Sequence, residues 1–331
     1  MEFLSKNKEV VYISVLGINF SLGKFEKLGV FDDETTDTLI KYLEKYNTEK
    51  IIFDCSSVVY KDDQKVFERF FNLVKYKDRE IIFFNLEPEL FERIKLDLKN
   101  SVFNYYVNTS QVQYFQSTEI TSVGVNIEDG FGQISKDLKN NDIEILKRCA
   151  KDYNKTSYQL KSTSFWTNYF FDISTLFSES PRNILWIIAR LCNRFRNIIR
   201  QDKSVLLIST SLYGTIISTL MKEVLNDSYK IETICFNRLG PDILINEVNI
   251  HRKDSYDYVI HVSDIIIGGT ELKILKALLS LRKLSITHVF VIGMREAFKD
   301  NYFDSLIINS VLTTNEIYED IYYTITKPEL S

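Results

Sequence analysis

Cysteine and histidine are scarce in this sequence, with four and three residues in a chain of 331. The cysteines lie far apart, at Cys55, Cys149, Cys192 and Cys235. That spacing forms no obvious disulfide framework and no metal-ligand motif, so we expect a reducing compartment, the cytoplasm. The few histidines also argue against a structural zinc site. We therefore predict no metal site and no intrinsic cofactor.

Long apolar runs are missing as well. No stretch reaches the ~18 apolar residues of a membrane-spanning helix. The N-terminus, MEFLSKNKEV, lacks the apolar core of a signal peptide. A net charge of −4 gives no electrostatic basis for binding nucleic acid. We expect a soluble protein that binds neither a membrane nor a nucleic acid.

The chain is rich in hydrophobic residues, which can form a packed core. Hydrophobic residues make up 45% of its 331 residues, a length that suits about two domains. β-Branched segments alternate with helical patterns from end to end, without an internal repeat, which indicates α/β architecture. In the first part, strands are predicted at 10–16, 50–54, 80–85 and within 102–115, and helices at 34–46, 64–76 and 88–100.

A polar segment with two glycines, residues 122–139, is the predicted domain boundary. Beyond it, Pro181 is predicted to open a long helix with an apolar inner face. The other helices are predicted at 142–153, at 215–225 and from Glu271, and the strands at 157–161, 169–172, 205–210, 231–236, 258–262 and 288–293. This order predicts two domains, 1–125 and 142–327, the second with a mostly parallel sheet and ligands at the carboxyl ends of its strands.

The most informative segment is residues 258–272, YVIHVSDIIIGGTEL. It predicts a buried strand, an acidic turn at Ser263 and Asp264, a Gly-Gly-Thr loop and then a helix. A helix start beside a carboxylate can hold a phosphate or a sugar hydroxyl. The alternative is a tight connection without a ligand, in which Asp264 is only a favourable charge at the helix N-terminus.

The second part of the chain resembles orotate phosphoribosyltransferases, over about residues 142–327. The resemblance rests on Leu160-Lys161-Ser162, on residues 169–172 and on the loop SDIIIGGTEL, which is similar to the phosphoribosyl pyrophosphate motif of that family. It implies a type I phosphoribosyltransferase fold, a homodimer formed through this domain, and a nucleotide or phosphoribosyl pyrophosphate as ligand. Any magnesium would arrive with a pyrophosphate-containing ligand.

The resemblance also implies a role for each matching residue. Asp264 would be catalytic and would bind the ribose hydroxyls. The residues implied in ligand binding are Ser263, Gly268, Gly269, Thr270, Gly214, Lys161 and Arg238. Arg238 belongs to a basic segment with His251, Arg252 and Lys253 in the region of the flexible lid, although such a cluster is usually just solvated.

Three positions depart from the family pattern. Ser263 stands where the first acid of a pair is expected, and Ile267 replaces a phosphate-contacting threonine without a side-chain donor. Glu271 would bring a negative charge close to a phosphate, which Coulomb repulsion disfavours. These departures favour ligand binding without turnover. The residues interpreted as packed core are His261, Tyr213 and Trp166.

The first part resembles STAS domains, the anti-sigma-factor-antagonist family, over about residues 8–100. The matching features are Asp-Cys-Ser at 54–56, at the end of a strand, and Asp62 in the loop that follows. Asp63 stands where signalling members carry a phosphorylated serine, and its single charge is smaller than the roughly −1.5 to −2 of phosphoserine. Asp62 and Asp63 are the predicted interaction site, with capping of the next helix as the alternative.

These features lead to two main hypotheses of function. The first is a regulatory or sensing protein of a bacterium, in which the second domain binds its ligand without turnover and the STAS-like domain relays or receives the signal. The STAS-like domain would dock a partner protein, a second copy of itself or the second domain. The alternative is an active phosphoribosyltransferase or a related nucleotide-processing enzyme. A component of a bacterial conflict (antiphage) system is a third idea.

Overall fold

The computed structural model describes the following residues: 2–6, 10–15, 18–21, 24–28, 30–31, 33–45, 50–54, 60–61, 80–84, 112–114, 128–160, 165–179, 181–200, 202–225, 229–236, 256–297 and 306–328. The chain divides into two compact units. The first comprises Met1–Lys139 with Cys192–Ile198, and the second comprises Asn140–Leu191 with Ile199–Ser331.

Strands predominate in the described part of the first unit. Its elements are β1 (Glu2–Lys6), β2 (Val10–Val15), β3 (Ile18–Ser21), β4 (Lys24–Leu28), β5 (Val30–Phe31), α1 (Asp33–Lys45), β6 (Lys50–Asp54), β7 (Tyr60–Lys61), β8 (Glu80–Phe84) and β9 (Val112–Tyr114). Five strands form a sheet in the order β1-β2-β6-β8-β9, in which only β1 is antiparallel to its neighbour. Val11, Ile13 and Phe53 are fully buried in it.

The predicted elements of this unit are found where the structure describes them. β2, β6, β8 and α1 each end within one residue of the predicted limits. The predicted helices at 64–76 and 88–100 lie outside the described residues, as do Asp62 and Asp63. The first unit therefore has a largely parallel sheet, while its STAS-like character stays a prediction.

The second unit combines helices with one large sheet and two small ones. Its elements are α2 (Glu128–Arg148), β10 (Ala150–Asp152), β11 (Tyr158–Gln159), β12 (Trp166–Thr167), β13 (Tyr169–Phe171), α3 (Ser174–Glu179), α4 (Pro181–Ile198), β14 (Ser204–Ser209), α5 (Leu212–Leu225), β15 (Lys230–Cys235), β16 (Tyr258–Ile266), α6 (Thr270–Ser280), β17 (His288–Met294), β18 (Ile307–Thr313), α7 (Thr314–Ile317) and β19 (Tyr323–Thr324). Helices α2 and α4 contribute residues to both units. None of the described helices is long and apolar enough to cross a membrane.

The large sheet of the second unit has the strand order β15-β14-β16-β17-β18, and every neighbouring pair is parallel. The prediction of an α/β fold with a mostly parallel sheet is therefore confirmed. Its central strands are almost continuously apolar because helices cover the sheet. On one side, Leu272, Leu275 and Leu279 of α6 pack into a buried cluster with Leu206 and Val289.

Helix α2 begins earlier than the helix predicted at 142–153. It begins at Glu128, within the polar segment 122–139, and continues to Arg148. Leu138, Ile145 and Leu146 recur at helical spacing and are buried. Burial of this apolar stripe outweighs the cost of the two glycines, each roughly 1 kcal/mol in a helix.

Strand β16 also extends beyond its predicted end at residue 262. It continues to Ile266, because Ile265 and Ile266 pair in register with Gly293 and Met294 of β17. Ser263 and Asp264, predicted as a turn, are therefore part of the strand. The loop before α6 is correspondingly short and comprises residues 267–269.

Candidate functional site

A cavity of about 260 Å³ lies at the carboxyl edge of the large sheet, beside the ends of β14 and β16. Its walls come from β13, the start of α5, the end of β16, the loop at 267–269, the start of α6 and Tyr323. The predicted site residues in its lining are Ser263, Asp264, Gly268, Gly269 and Thr270. Parallel sheets bind ligands at this edge, so the cavity is the candidate functional site.

The loop at 267–269 turns the chain from β16 into α6. Gly269 has a φ of 67°, in the left-handed region that glycine adopts without steric cost. It is the N-cap residue of α6, and no side chain caps this helix. Among the described residues, the backbone N–H groups at the start of this helix therefore have no side-chain cap and can donate to a ligand.

Asp264 is a partly buried carboxyl group in the wall of the cavity. Its Oδ1 accepts hydrogen bonds from the backbone N–H of Ile265 at 2.9 Å and the hydroxyl of Ser263 at 3.3 Å. Burial raises the pKa of Asp264, and these hydrogen bonds oppose the rise without cancelling it. Asp264 has no salt-bridge partner among the described residues.

Glu271 is joined to His261 through the hydroxyl of Thr210. Thr210 Oγ1 donates to Glu271 Oε2 at 2.9 Å and lies 3.1 Å from His261 Nε2. Burial raises the pKa of Glu271, and the negative charge of nearby Asp264 raises it further, against the hydrogen bond from Thr210. The charge of Asp264 therefore disfavours the ionisation of Glu271.

His261 is 1% exposed and lines the same cavity. Burial lowers its pKa to about 4, so the ring is neutral at pH 7. Because the Thr210 proton points to the carboxylate of Glu271, the neutral ring donates through Nε2, which is the tautomer we assign from the network. Nδ1 is then an acceptor without a hydrogen-bond partner among the described residues.

An aromatic wall faces the cavity from β13. Tyr169, Phe170 and Phe171 lie in the lining, and the ring of Tyr169 stacks on Tyr318 with centroids 3.9 Å apart. Tyr213, interpreted from the sequence as core, also lies in the lining. Such flat apolar surfaces suit a planar ring.

Gly214, the other predicted ligand-binding residue that the structure describes, is not in the lining. Gly214 is buried, and a Cβ there would lie 2.8 Å from the carbonyl oxygen of Val262, so the glycine permits close packing of α5 on β16. Lys161 and Arg238 lie outside the described residues. Sequence reasoning missed Thr210, which no motif distinguishes from an ordinary strand-end threonine.

The charged side chains among the described lining residues are all acidic. They are Asp172, Asp264 and Glu271. Asp172 is paired with Lys151 at 2.6 Å, and this partner lowers the pKa of Asp172. No lysine or arginine belongs to the described lining.

A cation does lie near the cavity, at the end of β17. The guanidinium of Arg295 stands 5.1 Å from the ring centroid of Phe165 and 5.4 Å from that of Tyr323. Tyr323 lines the cavity, and burial raises its pKa to about 12. Arg295 is thus held by aromatic faces rather than by the acids of the cavity.

Comparisons with known proteins give partial structural similarities. No protein-family model matches the chain, and no curated protein matches it. Orotate phosphoribosyltransferase from Aeropyrum pernix is 16% identical with a TM-score of 0.40, over 54% of this chain and 96% of that chain. Adenine phosphoribosyltransferase from Trypanosoma brucei is 15% identical with a TM-score of 0.38, over 55% and 82%. UMP synthase from Leishmania donovani is 10% identical with a TM-score of 0.38, over 87% and 76%.

Proposed function

We propose that the second unit is a phosphoribosyltransferase-like domain that binds a ribosyl ligand, from the chemical range of nucleotides and phosphoribosyl compounds, without turning it over. The first unit, in this proposal, is a STAS-like domain that relays the binding event to a partner protein. The observation that carries the proposal is the cavity itself, where the uncapped start of α6 meets Asp264 at the carboxyl edge of a parallel sheet.

Each part of the cavity supports a ribosyl ligand. The N–H groups at the start of α6 donate hydrogen bonds, and the carboxylate of Asp264 accepts them from sugar hydroxyls. The wall that includes Tyr169 and Phe171 suits a planar base. This combination of donors, acceptors and an aromatic face is what a sugar joined to a ring requires.

The absence of turnover rests on the charges of the described lining. Transfer of a phosphoribosyl group expels pyrophosphate, whose developing charge is normally stabilised by cations. The described lining supplies three carboxyl groups and neither lysine nor arginine. Ser263, at the position of an expected acid, supplies a hydroxyl instead of a second carboxylate.

Regulation is the role that fits a domain that binds without catalysis. The proposal places the protein in the bacterial cytoplasm as a homodimer formed through the second unit. Its partner protein would dock at Asp62 and Asp63 of the first unit. Magnesium would be present only as a companion of a pyrophosphate-containing ligand.

Ligand-dependent stability of the full chain tests the proposal. We expect at least one compound among adenosine, uridine, their 5′-monophosphates and phosphoribosyl pyrophosphate to raise the melting temperature. A ligand at 100 times its Kd stabilises by about 2.7 kcal/mol. Asp264→Asn should at least halve the shift, whereas Asp202→Asn, an exposed acid of the same unit, should leave it unchanged. The absence of a shift with every compound would refute the proposal.

An active transferase is the second candidate, favoured by the place of Asp264 and Thr270 in the cavity wall. Incubation with phosphoribosyl pyrophosphate and each nucleobase separates the two functions. We expect no release of pyrophosphate. Release that Asp264→Asn abolishes would establish the enzyme in place of the regulator.

A further inference from the structure

We propose that the cavity selects a ribosyl ligand without an ionised phosphate at the start of α6, namely an uncharged nucleoside, and that Glu271 sets this specificity. The inference rests on the proposed function, since it names the ligand class of the same cavity. Four observations support it: the charge of the lining, the place of Glu271 in α6, the surplus of acceptors and the size of the cavity.

The first observation is a negative charge that no cation of the described lining compensates. Of the three acids in the described lining, Asp172 alone has a cation, the ammonium group of Lys151. Asp264 and Glu271 have no described salt-bridge partner, and their mutual repulsion contributes to the raised pKa of Glu271. A phosphate placed beside them would add further negative charge of the same sign in a partly buried space.

The second observation is that the chain places a carboxyl group in the first turn of α6, the turn whose N–H groups would bind a phosphate. An anion near the N-terminus of a helix is stabilised by the unpaired N–H groups and the helix dipole. Glu271 stands in the first turn of α6, and Thr210 holds its carboxyl group at 2.9 Å. A phosphate bound at the start of α6 would therefore share the field of the helix with the carboxylate of Glu271, which would repel it.

The third observation is a surplus of hydrogen-bond acceptors. The carboxylates of Asp264 and Glu271 accept, and the Nδ1 atom of His261 is an acceptor that finds no donor among the described residues, although the side chain is 1% exposed. Ribose hydroxyls donate hydrogen bonds, whereas a fully ionised phosphate only accepts them. An unphosphorylated sugar therefore complements the lining better than a phosphate does.

The fourth observation is size. The cavity measures about 260 Å³, which is below the roughly 300–1,000 Å³ of sites for drug-sized ligands. A nucleoside needs less room than a nucleotide or phosphoribosyl pyrophosphate. The aromatic wall of Tyr169 and Phe171 would take the base, and the acids would take the sugar.

Isothermal titration of the full chain with nucleosides and their 5′-monophosphates, at pH 8, tests the inference. We expect adenosine or uridine to bind at least tenfold more tightly than its own monophosphate. Glu271→Gln keeps the shape but removes the charge, and should reduce this preference at least fivefold. Glu223→Gln removes an exposed carboxylate from α5 and is the matched control, with an unchanged preference.

Three outcomes separate the inference from the proposed function. Monophosphates that bind the unmodified protein as tightly as nucleosides would overturn the inference and leave the proposed function standing. Binding of neither class would overturn both. A nucleoside preference that survives unchanged in Glu271→Gln and in Glu271→Ala would remove Glu271 as its cause. The ratio measured on the unmodified protein decides the ligand class even if both variants fail to fold.

Discussion

The second unit contains two sets of buried acids that differ in their partners. Asp142 of α2 is 1% exposed, and its carboxylate accepts from Trp186 Nε1 at 2.7 Å and from two nitrogens of Arg190 at 3.0 and 3.1 Å. Asp264 and Glu271 are partly buried, and among the described residues they accept hydrogen bonds only from hydroxyls and a backbone N–H group. In the described part of the chain, Asp142 is therefore matched by a cation, and Asp264 and Glu271 are not.

This difference in partners distinguishes an acid that stabilises the fold, Asp142, from acids that are available to bind a ligand, Asp264 and Glu271. A buried carboxylate with a cation and an indole donor uses its acceptor sites within the protein, so it fixes α2 against α4. A buried carboxylate without a cation keeps a raised pKa and unused acceptor sites, which destabilises the empty site and favours a ligand that brings donors. Substitutions in the two sets should therefore change stability in opposite directions.

The largest change in the free energy of unfolding is expected on substitution of Asp142. Asp142→Ala removes the only salt-bridge partner of Arg190 among the described residues and leaves the buried indole N–H of Trp186 without this acceptor. We expect a loss of about 3 kcal/mol in the free energy of unfolding. Urea denaturation followed by tryptophan fluorescence measures it. Asp142→Asn removes the charge but keeps an acceptor for the indole, so it should lose less, and equal losses in the two variants would contradict a contribution from the indole hydrogen bond.

A smaller change in stability, of opposite sign, is expected on substitution of Asp264. Asp264→Asn removes a carboxyl group whose ionisation is opposed by burial, and should stabilise the ligand-free protein by about 1 kcal/mol at pH 8. The pKa is raised above its ordinary value of 3.8 on folding, so the folded state binds more protons. The stability of the unmodified protein therefore falls as pH rises above 3.8 through the folded-state pKa.

The gain in stability from Asp264→Asn should accordingly grow as pH rises from 3.8 through the folded-state pKa of Asp264. It should vanish below pH 3.8, where the carboxyl group is protonated in both the folded and the unfolded state. Denaturation midpoints of the two proteins at a series of pH values provide the measurement. The matched control is Asp202→Asn, because Asp202 is exposed. An advantage that does not change with pH would show that the raised pKa of Asp264 is not its cause.

Much of the fold is predictable from the sequence because it depends on local patterns. Continuous apolar runs predict the parallel strands β14, β16 and β17, and the apolar stripe after Pro181 predicts α4. The limits of β16 are not predictable in this way. Its extension to Ile266 depends on pairing with β17, which is a tertiary contact between segments that are distant in sequence.

The residues of the candidate site are predictable from the sequence only where they belong to one short segment. Residues 263–270 follow each other in the chain, so the motif places Asp264 and Gly269 together at the cavity. Thr210 and Glu271 are 61 positions apart. Only the folded structure shows that the hydroxyl of Thr210 contacts both the carboxyl group of Glu271 and the ring of His261. The interpretation of His261 as a packed residue fits its burial, but not the unpaired Nδ1 that burial leaves.

The smallest change in stability is expected when Asp172, the third acid of the cavity, loses its partner Lys151. Asp172 accepts from the ammonium group of Lys151 and from the backbone and hydroxyl of Ser174, and these contacts lower its pKa. Lys151 is exposed, so solvent screens its charge, and Lys151→Gln should lower the denaturation midpoint at pH 7 only slightly. The pKa of Asp172, followed by carboxyl NMR titration, should rise towards 3.8 in the variant. A loss of stability as large as that of Asp142→Ala would contradict the expectation that an exposed ion pair contributes less to stability than a buried one.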